Sequence, residues 1–378
     1  MTGYVSIDQS FFKTGYHNMT IKKSIFLTTL LLIVSLSSSV LAHSKKQLPI
    51  HKVSEGLSVM VLGSGGPVAT NKRVSAGYLI LIDGKASILM DVGGGVHARL
   101  GASGANIKDL EMVLLSHLHI DHTGDLDATI KALFFQNRGM NPPRTAPIHF
   151  LGPDAPVPGT PNVPPPSFDF DPTSQFINGQ YAKDTGLLRY LHFFSKAICN
   201  CQFNFATTDI PYTGHAVNTI YEKDGIVIKA VGVTHGPVPS VAYRIEYQGK
   251  SLVYTGDTTS LTADRSKIDD NLVALAQDAD LLIYDTAILD DTGAPFNALH
   301  TRPTDIGKVA AMANVKHLVL SHITPMTEPN LHDVKHSIHH HGNYYGPISI
   351  AKDLRVYNLH QTMPSKYRSF PAWPHHQE

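Results

Sequence analysis

The chain has only two cysteines in 378 residues, Cys199 and Cys201. A structural disulfide framework is therefore excluded. Cysteines two positions apart could close only a strained, labile bridge. Two half-buried thiols or a local disulfide is the plain reading, with metal ligation as the alternative. An excess of either charge is also lacking, since 31 basic residues stand against 31 acidic ones. That balance supplies no whole-chain field for gathering long nucleic acid. A small substrate is expected, and a nucleic-acid polymer is not. Beyond residue 42 no apolar run is long enough to span a bilayer.

Residues 1–42 differ in texture from the rest. Met19 precedes Lys22 and Lys23, the apolar stretch Ile25 to Leu36, a Ser-rich segment, and Val40-Leu41-Ala42. A charged start, a short apolar core and a small-residue end are the parts of a secretory signal peptide. Translation is expected to begin at Met1 or Met19, with cleavage after about Ala42. The alternative is a membrane anchor, which the short run and its Ser-rich end disfavour. His43 rather than Cys follows, so that point has no lipid attachment site. The expected location is periplasmic or secreted, with no stable membrane anchor after cleavage. Residues 43–378 are expected to form one α/β domain with insertions.

What the chain does have is histidine, 22 in all, and six residues concentrate it. His117-Leu118-His119-Ile120-Asp121-His122 puts three imidazoles and a carboxylate one residue after the apolar run Met112 to Leu115. Four metal-ligand side chains at a strand end can hold two ions side by side. The alternative is a His-rich surface turn, and the strand-to-loop context favours the metal reading.

The surrounding pattern alternates between strands and helices. Leu57 to Leu62 reads as a strand feeding Gly63-Ser64-Gly65-Gly66-Pro67, and Gly77 to Ile82 and Ser87 to Met90 as two more. The last of these ends in Asp91-Val92-Gly93-Gly94-Gly95. Neither Gly-rich element completes a phosphate-binding pattern. Both are read as tight turns that let backbone pass close to the metal site. A helix is expected near 96–100 and a second over 125–137, with Leu126, Ile130, Leu133 and Phe134 on one face. Residues 153–170 are dense in proline, where helices and central strands do not persist. With the stretch to about 205 they are expected to form an insertion, either a lid over the pocket or a structural addition remote from it. The second half repeats the first. Strands are expected at 225–233, 240–247, 251–255, 281–284 and 316–320, with a helix between Pro303 and Ala313. Such a pattern indicates two mixed β-sheets packed face to face with helices outside, an αββα four-layer sandwich.

Further ligand candidates fall at strand ends in this second half. His235 follows Gly232-Val233, Asp257 follows Val253-Tyr254-Thr255-Gly256, and His322 follows Leu318-Val319-Leu320-Ser321. His215, in Thr213-Gly214-His215, competes with His235. Spacing favours His235, which lies 257 − 235 = 22 residues before Asp257, room for one hairpin. His336, His339, His340 and His341 crowd near the C-terminus and read as a solvated His-rich loop, with a secondary metal site as the alternative.

On these motifs the chain resembles the metallo-β-lactamase fold superfamily, and within it the ribonuclease Z-like branch, over nearly all of residues 57–358 outside the Pro-rich stretch. The resemblance implies that Asp91 orients the metal loop from behind the ligands. It implies that His117, His119 and His235 bind one zinc and Asp121, His122 and His322 the other, with Asp257 as the bridging carboxylate. His300, in His-Thr-Arg-Pro-Thr, resembles the extra histidine of that branch, and Asp285, in Leu-Ile-Tyr-Asp-Thr, its acidic partner. The implied cofactors are two Zn2+, with Mn2+ or Fe2+ as alternatives. His300, Asp121 and Asp285 are the expected catalytic residues, with His300 donating a proton to the leaving oxygen and a metal-activated hydroxide attacking. Ribonuclease Z proper inserts a tRNA-gripping arm between the third histidine and the bridging aspartate, and 22 residues leave no room for one. True β-lactamases lack the bridging aspartate. The expected activity is hydrolysis of a small phosphodiester, with an arylsulfatase as the close alternative. Lactone or thioester hydrolysis and a catalytically silent binding protein rank below. A small-molecule ester is the expected partner, together with a second copy of the chain in a homodimer.

Overall fold

Alternation along the strands decides the layering. In β1, Leu57–Gly63, the side chains of Leu57, Val59 and Val61 enter one apolar cluster while Met60 and Leu62 enter another, and all are buried. β2, Gly77–Ile82, does the same, with Tyr78, Ile80 and Ile82 on one side and Leu79 and Leu81 on the other. Successive side chains of a strand point to opposite faces, so a strand buried throughout is covered on both. The first cluster lies between two sheets, and the others lie between each sheet and its outer helices.

The computed structural model describes residues 55–360, except 69, 140–143, 157–169, 183–185, 199–203 and 213–215. The expected signal peptide, Cys199, Cys201, His215 and most of the Pro-rich stretch lie outside the described residues. The first sheet continues with β3 (Lys85–Val92), β4 (Met112–Leu114), β5 (Ile148–Pro153) and β6 (Phe205–Ile210). The second holds β7 (Asn218–Lys223), β8 (Ile226–His235), β9 (Val238–Tyr247), β10 (Lys250–Tyr254), β11 (Leu281–Asp285), β12 (Leu318–Ser321) and β13 (Ile348–Ile350). The last strand, β14 (Val356–Asn358), returns to the first sheet and pairs antiparallel with β1 in the register Val59 opposite Tyr357. Each sheet thus has seven strands. In each, antiparallel hairpins give way to parallel strands, β3 to β6 in the first and β10 to β13 in the second.

This order collects strand ends on one rim. β8 and β10 run the same way because β9 is antiparallel to both. β11 and β12 are parallel to β10, so the C-terminal ends of all four open on the same side. In the first sheet β3 and β4 end together. The two rims are joined where Val241 N–H donates to the Ser116 carbonyl at 2.9 Å and the Tyr243 hydroxyl to the Leu115 carbonyl at 2.7 Å.

Helices cover the outer faces. The helix Leu126–Gly139 buries Leu126, Ile130, Leu133 and Phe134, as its periodicity predicts. Full burial of such a side chain contributes about 1.5–3 kcal/mol. Pro303–Met312, with Pro at its first position, buries Ile306, Val309 and Ala310 on the second sheet.

Two expectations change. The stretch 153–205 is not wholly an addition to the scaffold. Helices Thr173–Tyr181 and Leu188–Ile198 lie in the crossover between the parallel neighbours β5 and β6, and Ile177, Tyr181, Leu188 and Leu191 are buried in the first sheet's outer core. Aromatic and aliphatic residues there serve packing. His336, His339 and His340 lie on a helix, Leu331–His340, rather than in a loop. Val334 and Ile338, four apart, anchor it in the second outer core, and apolar spacing outweighs the polar composition.

Candidate metal centre

Every element that ends on the rim delivers a polar side chain to it. β3 carries Asp91 as its last residue but one, the loop after β4 carries His117 to His122, and β8 ends in His235. Asp257 and His322 follow β10 and β12, and Asp285 closes β11. His300 precedes the helix Pro303–Met312. Asp91, His117, Asp121, His122, His235, Asp257, Asp285 and His322 are all buried, and His119 and His300 are partly exposed.

Three groups of donor atoms gather, each within 4.8 Å. His117, His119 and His235 form the first, with His117 Nε2 2.9 Å from His119 Nδ1 and His235 Nε2 3.3 Å from that same nitrogen. Asp121, His122, Asp257 and His322 form the second. There His322 Nε2 is 3.2 Å from Asp121 Oδ2 and 3.3 Å from Asp257 Oδ2. Asp257 lies between the groups, its Oδ2 4.0 Å from His117 Nε2 and its Oδ1 3.4 Å from His122 Nε2. The third group joins Asp257 and His322 to Asp285 and His300. The structure therefore brings together His117, His119, Asp121, His122, His235, Asp257, Asp285, His300 and His322, with Asp91 behind them.

The outward nitrogens are tied down, which aims the inward ones. His122 Nδ1 is 2.7 Å from Asp91 Oδ2, and His235 Nδ1 is 2.7 Å from the Leu299 carbonyl. His117 Nδ1 is 3.1 Å from Ser116 Oγ. Asp91 accepts three more bonds at 2.7 Å, from Ser116 N–H, the Ser116 hydroxyl and the Tyr254 hydroxyl. Asp285 sits between two histidines, its Oδ2 2.8 Å from His300 Nδ1 and its Oδ1 3.3 Å from His322 Nδ1. Partners that fix a ligand's tautomer and ring plane are characteristic of metal sites. Ser116, Tyr254 and the Leu299 carbonyl escape the sequence reading. Only Ser116 carries a hint there, as the residue just before the hexapeptide.

Close backbone approach needs glycine at two points. A Cβ on Gly93 would lie 1.9 Å from the Asp121 carbonyl oxygen, and one on Gly66 2.8 Å from His322 Cε1. Both Gly-rich turns thus wall the cluster.

The electrostatics split by group. Burial, with the neighbouring imidazoles of His122 and His235, holds His117 well below the ordinary histidine range. Burial also lowers His119, and pushes His235 down to about 4. These three present neutral nitrogens with free lone pairs. In the second group burial opposes charge on His322, but Asp257, Asp121 and Asp285 push it up to about 10. Against burial, Asp257 and Asp91 raise His122. Burial would raise Asp121, yet His322 and His122 bring it down to about 2. The carboxylates there stay ionised and attract positive charge.

These features fit a divalent cation. His122 Nε2 and Asp257 Oδ1 are buried with no hydrogen-bond partner among the described residues, a state that costs free energy unless another group completes it. Imidazole and carboxylate suit zinc and similar borderline ions. A two-sheet sandwich whose rim gathers such donors defines a divalent-metal-dependent hydrolase.

Comparison with known proteins agrees. Residues 71–306 match the metallo-beta-lactamase superfamily, and the chain belongs to that family. A protein named ribonuclease Z from Mycolicibacterium paratuberculosis is 28% identical over 278 residues, 71% of this chain and 86% of its own length. Another of that name from Mycobacterium marinum is 26% identical over 313 residues, 80% of this chain and 99% of its own. The crystal structure of human tRNase Z, short form, has the same fold, with a TM-score of 0.54 and 18% identity over 80% of this chain and 99% of its own. Within that family the chain is similar to proteins of the ribonuclease Z-like branch, and it is a metal-dependent hydrolase acting on ester bonds.

The relatives correct one expectation. Exclusion of a nucleic-acid polymer does not stand, because relatives matched over 86% and 99% of their length are named as ribonucleases. The physical step at fault is the use of whole-chain charge. A sum over the surface averages out the local field at one rim, which is what a polymer meets.

Proposed function

We propose that this protein is a phosphodiester hydrolase using two zinc ions. One would be held by His117, His119 and His235 and the other by Asp121, His122 and His322, with Asp257 placed between the two groups. The observation that carries the reading is the position of Asp257 between two donor groups, 4.0 Å from His117 Nε2 and 3.4 Å from His122 Nε2. Bound ions would supply Lewis acidity and lower the pKa of water into the neutral range. The chain's own residues do the rest. Asp91 holds His122 with Nε2 facing inward. The Leu299 carbonyl does the same for His235. His300 lies at the partly open edge, its Nδ1–H directed to Asp285, which keeps the ring's other nitrogen free to pass a proton to the leaving oxygen. Asp285 and Asp257 raise the His300 pKa against the effect of burial, so the proton is available near neutrality.

A small phosphodiester, cyclic or aryl, is the leading substrate in this proposal. The names of the relatives make an RNA the second. Residues 1–42 support export, and we extend the proposal to a secreted or periplasmic enzyme. The test is a panel on one zinc-loaded preparation: bis-aryl phosphodiesters, cyclic nucleotides, a 3′-extended RNA and aryl sulfates. Turnover of a phosphodiester that stops on chelation and returns with zinc is the expected outcome. Turnover of sulfates alone, or no turnover by fully loaded protein, would sink it.

A further inference from the structure

Several large apolar side chains left in water stand on the loops of this centre. Among the described residues nine are exposed, and four of them stand on the loops that carry or wall the donor atoms. Ile120, 78% exposed, lies between His119 and Asp121. Val68 follows the turn whose Gly66 abuts His322. Met326 is four residues after His322, and Phe296 four before His300. A soluble protein seldom gathers such residues on one surface without a partner for them. Binding sites are mostly apolar walls around a few convergent polar groups.

Two of the four stand on loops joined to the segment of the proposed proton donor. Phe296 opens the short turn Phe296–Ala298, and its carbonyl accepts the His300 N–H at 3.0 Å. The next residue but two, Leu299, holds His235 through its carbonyl. Arg265 braces the turn from outside, donating to the Asn297 carbonyl at 3.0 Å. Met326 joins the same loop through its sulfur, 3.6 Å from the Thr292 hydroxyl. Both residues thus stand on loops tied to the segment that carries the histidine assigned to the leaving oxygen.

We propose that Phe296 and Met326 form a subsite for a planar aromatic group attached to the leaving oxygen of the ester, with Ile120 and Val68 closing the mouth. Thioether and phenyl groups both make favourable contacts with aromatic rings. The subsite rests on the metal centre proposed above. It selects the substrate by its leaving group, and the aromatic ring can come from an aryl ester or from a nucleobase.

A binding experiment separates this inference from the fate of the catalytic reading. Phosphonates and phosphate monoesters can ligate the loaded centre and carry no diester bond to cleave. Dissociation constants would be measured by calorimetry on the zinc-loaded full chain for phenylphosphonate against methylphosphonate, and for a nucleoside monophosphate against ribose 5-phosphate. At least one aromatic member should bind about tenfold or more tightly than its partner, and which pair shows it identifies the source of the ring. Phe296→Ser and Met326→Ser should bring that ratio toward one while zinc content and the binding of methylphosphonate hold. Phe296→Leu should keep part of it, and Tyr345→Ser, another exposed aromatic, should leave it unchanged. Ratios near one for both pairs in the unaltered protein overturn the subsite. So does a ratio that survives both serine variants. Failure of the phosphodiester panel with a preserved ratio would instead count against the catalytic reading alone.

Discussion

Replacing Asp91 by Asn tests how the centre is held. Asp91 is fully buried and adopts a left-handed backbone, φ 53°. Asparagine accepts that conformation as readily as aspartate, so the change adds no backbone strain. Its effect lies in the hydrogen bonds. Oδ1 can still accept from Ser116 N–H, but Oδ2 now receives from His122, Ser116 and Tyr254. An amide in that position donates. The two hydroxyls can turn and accept, whereas His122 must move its proton from Nδ1 to Nε2 or lose the bond. A proton on Nε2 blocks the atom that faces Asp121 and Asp257. Loss of such a partner typically lowers metal affinity by about 10–100-fold. That corresponds to roughly 1.4–2.8 kcal/mol. Folding of the metal-free protein should also weaken, by about 1.5–3 kcal/mol, the contribution of one bond to a buried charge, since of the four bonds one is kept, two can re-form and that of His122 is lost. The assay is competition for zinc against a chromophoric chelator, beside urea denaturation of the metal-free protein. Unchanged affinity at both sites, with the fold intact, would refute the claim that Asp91 sets the tautomer of His122.

Three further outcomes are expected. His300→Ala should lower kcat by about 10²–10⁴-fold on esters with poor leaving groups and far less on good ones, with zinc content retained; a uniform loss across leaving groups would contradict proton donation. Gly93→Ala drives a Cβ to 1.9 Å from the Asp121 carbonyl oxygen, so backbone must shift. A loss of about 1–3 kcal/mol and reduced zinc content should follow, read by thermal melting and metal analysis. His317 is buried, its Nε2 2.9 Å from Ser349 Oγ, and burial with the Arg355 charge lowers its pKa to about 4. The unfolded chain then binds this proton near pH 6.5 and the native protein does not, so stability is complete above about pH 6.5 and falls as pH drops toward about 4, by up to about 3 kcal/mol. His317→Gln should flatten the urea midpoint over that range, and an unchanged slope would show that His317 is not the group responsible.

Much of the scaffold is legible in the chain because its signals are local. The strands at Gly77–Ile82 and Leu281–Asp285 and the helix at Pro303–Met312 are marked by apolar runs and by Pro at the helix start. The short edge elements β13 and β14 carry three residues each, too few for a period to register. β5 and β6 frame the crossover 154–204, where proline density suggested irregular chain. Their pairing becomes evident only when the helices between them are seen to pack on the sheet.

At the centre the division is of the same kind. Residue types and strand-end positions are written in the sequence, since a donor such as His117 or Asp257 is recognisable from its own neighbours in the chain. The contacts that make those donors a site are not. Asp91 meets His122 across 31 positions, Tyr254 meets Asp91 across 163, and Asp285 lies between His300 and His322. Those meetings depend on which strands lie side by side and which ends share a rim. Long-range pairing of that sort is set by the packing of whole sheets, through burial that no single segment can achieve alone. The sequence by itself determined which side chains could hold metal. Only the tertiary structure decided how each is aimed.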